Sequence, residues 1–210
     1  KFPDVGGGGA ADPRPWALNH IETDWSYRKA MMAIAQEVAI GIDVLALILS
    51  VIQYAIYIGN LPDRVPYHFD GSGNPDQYGG PTGLIAMYAA LQFGLQAFMV
   101  PLIFVVGKED DSCSINGLPA DATPRVKREA RRLAQSMLMW TNALDAWFIL
   151  AIAQLNFMAA KDTPDQKMQM DTFWTIFGLF TAAILGGVVF VIARMREIRA
   201  AGARDENRLL

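Results

Sequence analysis

The sequence predicts an all-α fold, a bundle of four transmembrane helices with an ordered extracytoplasmic loop between helices 1 and 2. One observation is that four apolar runs each contain about 20 residues, the length that a helix needs to cross a hydrocarbon core of ~30 Å. Another is that only 19% of the residues are charged and that no run contains Lys or Arg. The helices of a soluble bundle would instead carry charged stripes at helical period.

The predicted spans are 39–58, 84–106, 136–160 and 173–193, and they set the domain boundaries. We expect a flexible cytoplasmic arm at 1–22, followed at 23–106 by a unit that contains a helical lead-in, span 1, the outer loop 60–81 and span 2. A basic cytoplasmic loop is expected at 107–133, a hairpin of spans 3 and 4 at 134–193, and a cytoplasmic tail at 194–210. The arm lacks the apolar region of a signal peptide. The lead-in to span 1 is predicted to be helical from an N-cap at Thr23 or Asp24, and a second, basic lead-in to begin near Pro124.

Basic residues predict the orientation. Segment 107–133 contains six Lys or Arg and the tail from Arg194 contains five, whereas the loop at 61–81 contains only Arg64. By the positive-inside rule, 107–133 and both termini are cytoplasmic and 61–81 faces the other side. The net charge of −3 gives no footprint for nucleic acid, so the basic lead-in is interpreted as a grip on anionic lipid, with a cytoplasmic docking partner as the alternative.

The loop "LPDRVPYHFDGSGNPDQYGGP", residues 61–81, is rich in Pro, Gly, Asp and Asn. Asp and Asn support Asx-turns and Gly allows positive φ, so we expect a compact cap in the manner of an Ω-loop, without regular structure. Its length exceeds what a simple connection requires. The loop is therefore predicted to be a shaped contact surface, and the candidate partner-contact residues are Pro62, Pro66, His68, Phe69, Asp70, Asn74, Asp76 and Tyr78.

A metal site in this loop has weak support. Asp70, Ser72 and Asn74 occupy the first positions of an EF-hand pattern, but Pro75 and Pro81 stand where Gly and Glu are required. A looser zinc site could use His68, Asp70 and Asp76. Turn-forming aspartates and a hydrogen-bonded His explain the same residues, so we predict no metal.

The order of residues in this loop resembles the SdpI-like bacterial membrane proteins, which share the domain DUF1648. The residues that carry the resemblance are Leu61, Pro62, Val65, Pro66, His68, Phe69, Gly73, Asp76, Tyr78 and Gly79. Family members usually continue with Ser/Thr-Lys, where this chain has Gly80 and Pro81. The resemblance implies a DUF1648-like unit at 23–106, a place in the bacterial inner membrane, and a role in immunity to a secreted toxin or in signalling.

Two acids lie inside the predicted spans, where ionisable groups are functional candidates. Asp43 is expected near the cytoplasmic edge, within reach of water. Asp145 lies deeper, so we expect it to be protonated or hydrogen-bonded to Asn142 and to Gln92 or Gln96 across the bundle. Structural hydrogen bonding is the favoured interpretation, and an ion or proton pathway is the alternative.

The remaining signals concern cofactors and association. Neither His20 nor His68 lies in a span, and no nucleophile–base pair or phosphate-binding motif appears, so we predict no cofactor and no enzymatic activity. Gly178, Ala182 and Gly186 recur every four residues and form a small-residue packing face, for which another span of the chain is the favoured partner. The predicted function is non-enzymatic binding through loop 61–81. The alternative is a structural accessory subunit of a larger membrane complex, and a transporter comes third.

Overall fold

The structure, a computed structural model, describes residues 15–108, 118, 122–161 and 165–206. Its elements in chain order are α1 (Pro15–Tyr57), β1 (Val65–Phe69), β2 (Pro75–Gly79), α2 (Pro81–Gly107), α3 (Pro124–Lys161) and α4 (Met170–Glu206). Four segments are long and apolar enough to cross a bilayer: Lys29–Tyr57, Pro81–Gly107, Pro124–Lys161 and Met170–Ala200. Each contains one predicted span. The protein is therefore a multi-pass membrane protein with four long apolar helices, as the sequence predicted.

The ends of the helices follow local chemistry. α1 begins at Pro15, about two turns before the predicted N-cap at Thr23 or Asp24, because proline is tolerated in a first helical turn. The part of the predicted arm from Pro15 onward is thus helical, and 1–14 lie outside the described residues. α1 ends at Tyr57, before Gly59 at φ +117°. α3 begins at Pro124 as predicted, where the N–H of Val126 donates to Oγ1 of Thr123.

Helix α3 is the central element, and α1, α2 and α4 all pack on it. Its contacts with α1 and α2 include fully or almost fully buried alanines, which let membrane helices approach closely: Ala39, Ala46, Ala143, Ala146 and Ala153. α4 packs chiefly on α3 and leaves most of its apolar surface open. The molecule is therefore a three-helix core with a fourth helix attached to one side.

The loop between α1 and α2 contains regular structure, contrary to the expectation of an irregular cap. β1 and β2 form an antiparallel hairpin with Val65 opposite Gly79 and Phe69 opposite Pro75, and the register is irregular around Tyr67. The turn residues are confined to 70–74, so the flanking residues, which include aromatic side chains, are free to pair. The predicted cap is thus ordered, but it is a β-hairpin with a tight turn.

Candidate functional site

Buried residues at the start of β1 fix the hairpin to the helices. Val65 and Pro66 are fully buried, and Val65 belongs to a cluster whose centre is Phe157 of α3. The other buried members of this cluster are Tyr54, Leu84, Ile85, Tyr88, Ala153 and Ala160. The ring of Phe157 lies 4.7 Å from that of Tyr57 and 5.7 Å from that of Tyr88, centroid to centroid. Pro66, a candidate contact residue, therefore anchors the hairpin and faces no partner.

Asp70 organises the hairpin turn. Its Oδ1 accepts hydrogen bonds from the backbone N–H groups of Ser72 (2.8 Å) and Asn74 (2.9 Å), the predicted Asx-turn chemistry. The N–H of Gly73 donates to the carbonyl oxygen of Asp70, and Gly73 has φ +81°. The hydrogen bonds from Asn74 hold the pKa of the exposed Asp70 carboxyl below its ordinary value.

The hairpin is also joined to the loop between α3 and α4. The N–H of Met168 donates to the carbonyl oxygen of Gly73 at 3.0 Å. Nε2 of Gln166 lies 3.3 Å from the carbonyl oxygen of Arg64 and 3.2 Å from that of Ala160. The guanidinium of Arg64 in turn lies 4.4 Å from the ring centroid of Tyr78, a cation–π contact. The two loops thus form one surface.

Several side chains of this surface face away from the helices. Nδ1 of His68 and Oδ1 of Asp76 are 2.6 Å apart, and the two side chains are 58% and 46% exposed. Tyr67 is 42% exposed, and Asn74 and Gln77 are exposed as well. We call these five residues the hairpin surface: Tyr67, His68, Asn74, Asp76 and Gln77. Of the other candidate contact residues, Pro62, Phe69 and Tyr78 are partly buried.

The structure brings together only part of the looser metal set. His68 and Asp76 are adjacent, but Asp70 is engaged by the N–H groups of its own turn. Within the described ranges, no group of three or more His, Cys, Asp or Glu side chains could hold a metal ion. His68 and Asp76 form a hydrogen-bonded pair on the surface, and their exposed edges can make further hydrogen bonds.

A second constellation lies between the helices. Nε2 of Gln96 donates to Oδ1 of Asp43 at 3.0 Å, and Nδ2 of Asn142 donates to Oδ2 of Asp43 and to Oε1 of Gln96, both at 2.9 Å. We call Asp43, Gln96 and Asn142 the polar layer. The three residues belong to α1, α2 and α3 respectively, and all lie within the apolar segments of these helices. The layer is therefore inside the bundle, between three helices.

The polar layer bears on two predictions about acids. Asp43 was expected near the cytoplasmic edge, within reach of water; its carboxylate accepts hydrogen bonds from amide groups of two other helices. Asp145 was expected to be protonated or hydrogen-bonded to Asn142 and to Gln92 or Gln96; it makes no hydrogen bond within the described residues, so the second alternative is wrong, and Asp43 takes the amide donors instead. The predicted amide network exists, around the other acid.

The polar contacts continue towards the hairpin. Gln92 of α2 is 0% exposed, and neither of its amide atoms has a partner among the described residues. Nδ2 of Asn156 donates to the hydroxyl of Tyr88 at 3.0 Å. The sequence analysis missed the Tyr88–Asn156 pair, although Tyr88, Gln92 and Gln96 recur every four residues and so share one face of α2.

The small-residue face of α4 does not pack within the chain. Gly178, Ala182 and Gly186 are exposed, and a Cβ at either glycine would meet nothing within 4 Å, which corrects the favoured interpretation of a partner span. Beside this face, α1, α3 and α4 enclose an apolar groove of about 800 Å³, lined in part by Met31, Trp140 and Phe190.

Residues 44–92 match the family model described as "Domain of unknown function (DUF1648)". The match spans the last third of α1, the hairpin and nearly the first half of α2. It contains the hairpin surface and its anchor Val65, and excludes Asp43, Gln96 and Asn142. No curated protein and no solved structure matches the chain.

Proposed function

We propose that this protein is a non-enzymatic binding protein of the bacterial inner membrane, of the SdpI-like immunity or signalling type, whose hairpin surface contacts an extracytoplasmic peptide or protein. The observation that carries the proposal is the combination of a buried anchor with an exposed face. Val65 and Pro66 are fully buried, whereas Tyr67 and His68, the next residues along β1, are exposed. Pre-organised surfaces lose little conformational entropy on binding, which favours recognition.

The chemistry of the hairpin surface suits a polar peptide. The aromatic ring of Tyr67 offers contact area, and the His68–Asp76 pair offers hydrogen-bonding groups. β1 contacts α2 and α3, and β2 pairs with β1, so the far edge of β2 is the one at which an extended segment could add a strand. Pro75 has no N–H and limits such pairing to the residues that follow it.

The orientation supports this function. Lys and Arg cluster before and within the first turns of α3 and at the end of α4, at the bundle end remote from the hairpin. The positive-inside rule then places both termini in the cytoplasm and the hairpin outside. Cysteine at Ser72, in a chain whose Cys113 is replaced by serine, is expected to react in intact cells with a membrane-impermeant maleimide. Reaction only after the membrane is opened would contradict the orientation.

Site-specific photo-crosslinking tests the binding function directly. A photoreactive amino acid replaces Tyr67 or Gln77 in the hairpin surface, and Phe98, which is 67% exposed on α2, serves as the control. Cells that express each variant are irradiated, and the adducts are identified by mass spectrometry after purification in mild detergent. We expect a defined secreted or membrane-anchored adduct from the hairpin positions only. No adduct, or the same adducts from Phe98, would contradict the proposal.

A second candidate function, a structural accessory subunit, is favoured by α4. The exposed face of Gly178, Ala182 and Gly186 would allow a foreign helix to approach closely, and the neighbouring groove would add apolar contact. If this face docks on another subunit, Gly186→Leu will dissociate the native complex while the chain itself stays folded. If the purified protein has the same apparent mass in mild detergent with and without Gly186→Leu, the binding function explains the structure better.

A further inference from the structure

The polar layer places a carboxylate between three helices of the bundle, with neutral hydrogen-bond partners only. Both oxygens of Asp43 accept hydrogen bonds from amide N–H groups, of Gln96 and of Asn142. A protonated carboxyl would need an acceptor for its own hydrogen, whereas an ionised carboxylate only accepts. The geometry therefore suits the charged form of Asp43.

No positive side chain is available to balance that charge. Segments 30–57, 81–107, 133–160 and 170–193 contain no Lys, Arg or His. An isolated charge inside a bilayer is costly, and such groups are normally paired or face a polar cavity. The compensating charge must come from outside the chain.

Two buried amide oxygens, one in the polar layer and one a helical turn away along α2, make no hydrogen bond among the described residues. Asn142 is 2% exposed and spends Nδ2 on Asp43 and Gln96, while its Oδ1, on the same amide group, makes no hydrogen bond in the described chain. Oε1 of Gln92, one helical turn from Gln96 on α2, is also buried without a partner. Buried polar atoms in native proteins are nearly always satisfied, so these oxygens indicate a bound polar species.

We propose that the polar layer, together with Gln92, binds a monovalent cation of the size of Na⁺. One carboxylate and neutral amide oxygens are hard oxygen ligands of the kind that bind hard cations, and the single negative charge balances a monovalent one. A divalent ion would leave an excess positive charge in the bilayer, and Asp145, the other acid in the core of the spans, is not hydrogen-bonded to the layer. The layer shares no residue with the hairpin surface, so this site is independent of the proposed contact function of the hairpin.

Thermal unfolding of the full chain in nanodiscs tests the proposal. NaCl is titrated against choline chloride at constant ionic strength, with KCl in parallel. For the wild type, sodium at about 100 times its dissociation constant is expected to raise the midpoint by roughly 5–10 °C. Asp43→Asn, which removes the proposed charged ligand, is expected to abolish the response, and Asp145→Asn, which changes an acid that is not hydrogen-bonded to the layer, to retain it.

Binding of radioactive ²²Na⁺ to the wild type, with unlabelled NaCl as competitor, keeps the test decisive if Asp43→Asn does not fold. Gln92→Leu, which leaves the carboxylate in place, is expected to weaken this binding several-fold. A response to Na⁺ or K⁺ that depends on Asp43 supports the site. The proposal would be overturned if neither Na⁺ nor K⁺ changed the thermal unfolding midpoint of the wild type, or if this midpoint depended on pH alone. A proton would then neutralise Asp43.

Discussion

The backbone N–H of Met168, between α3 and α4, donates to the carbonyl oxygen of Gly73 at the tip of the hairpin over 3.0 Å. The two loops are more than 90 residues apart in the chain and form one surface because this contact needs a residue without a side chain. A Cβ at Gly73 would lie 2.5 Å from the carbonyl oxygen of Met168, and φ is +81°. Glycine is therefore required there on two independent grounds.

We expect Gly73→Ala to destabilise the fold by about 1–2 kcal/mol, the usual cost of a left-handed conformation, with an added cost for moving Met168. The matched control is Gly71→Ala in the same turn, because a Cβ at Gly71 would meet nothing within 4 Å and its φ is not positive. SDS-induced unfolding in mixed micelles measures both variants. Equal effects of the two substitutions would show that the turn is not docked on Met168.

Asp70 gives the turn a dependence on pH. Its pKa is below the ordinary value in the folded protein, so the unfolded chain binds its proton at higher pH than the folded chain does. The stabilising contribution of Asp70 is therefore complete above the unfolded pKa of ~3.9 and is lost as the pH falls below it. We expect Asp70→Asn to flatten the fall of the melting midpoint between pH 6 and pH 3.

The control for this experiment is Asp63→Asn. Asp63 is an exposed acid of the same connection and makes no hydrogen bond among the described residues. This variant is expected to follow the wild-type pH profile. If the melting midpoint of Asp70→Asn also depends on pH as the wild type does, the Asx-turn does not contribute to acid sensitivity.

Phe157 joins the hairpin anchor to the helices, so its removal should be costly. Its ring is fully buried against three tyrosine rings, those of Tyr54, Tyr57 and Tyr88. Phe157→Ala would leave a cavity there, and we expect a loss of about 3 kcal/mol in the free energy of unfolding. Phe98→Ala removes a side chain that is 67% exposed and should cost far less. Similar losses in the two variants would contradict the central role of Phe157.

The helices and the turn could be predicted because their causes are local. Apolar length defines a span, and Asp70 and Gly73 carry the turn chemistry that the sequence indicated. The hairpin itself was missed because Pro66 and Pro75 weigh against strands, although both occupy positions that a two-stranded ribbon tolerates.

The exchange of roles between Asp43 and Asp145 has a different cause. Which face of a helix is buried, and so which acid meets the amide groups, depends on the neighbouring helices. The buried residues Ala39, Ala46 and Ser50 share the face of Asp43 at helical spacing, a signal that was present in the sequence. For the small residues of α4, the spacing in the sequence predicts a packing face but cannot indicate which helix packs on it.

Substitutions in the His68–Asp76 pair distinguish a role in partner contact from a role in stabilising the hairpin. Both side chains are about half exposed, and exposed side-chain contacts of this kind contribute little to stability, so His68→Ala and Asp76→Ala should each change the free energy of unfolding by no more than about 0.5 kcal/mol. If the pair contacts a partner, the same substitutions should reduce photo-adduct yield from Gln77 at least several-fold. Asp76→Lys, which reverses the charge, should reduce it further than Asp76→Ala. Unchanged yields in folded variants would exclude the pair from the contact surface, whereas a large loss of stability would assign it to the scaffold of the hairpin.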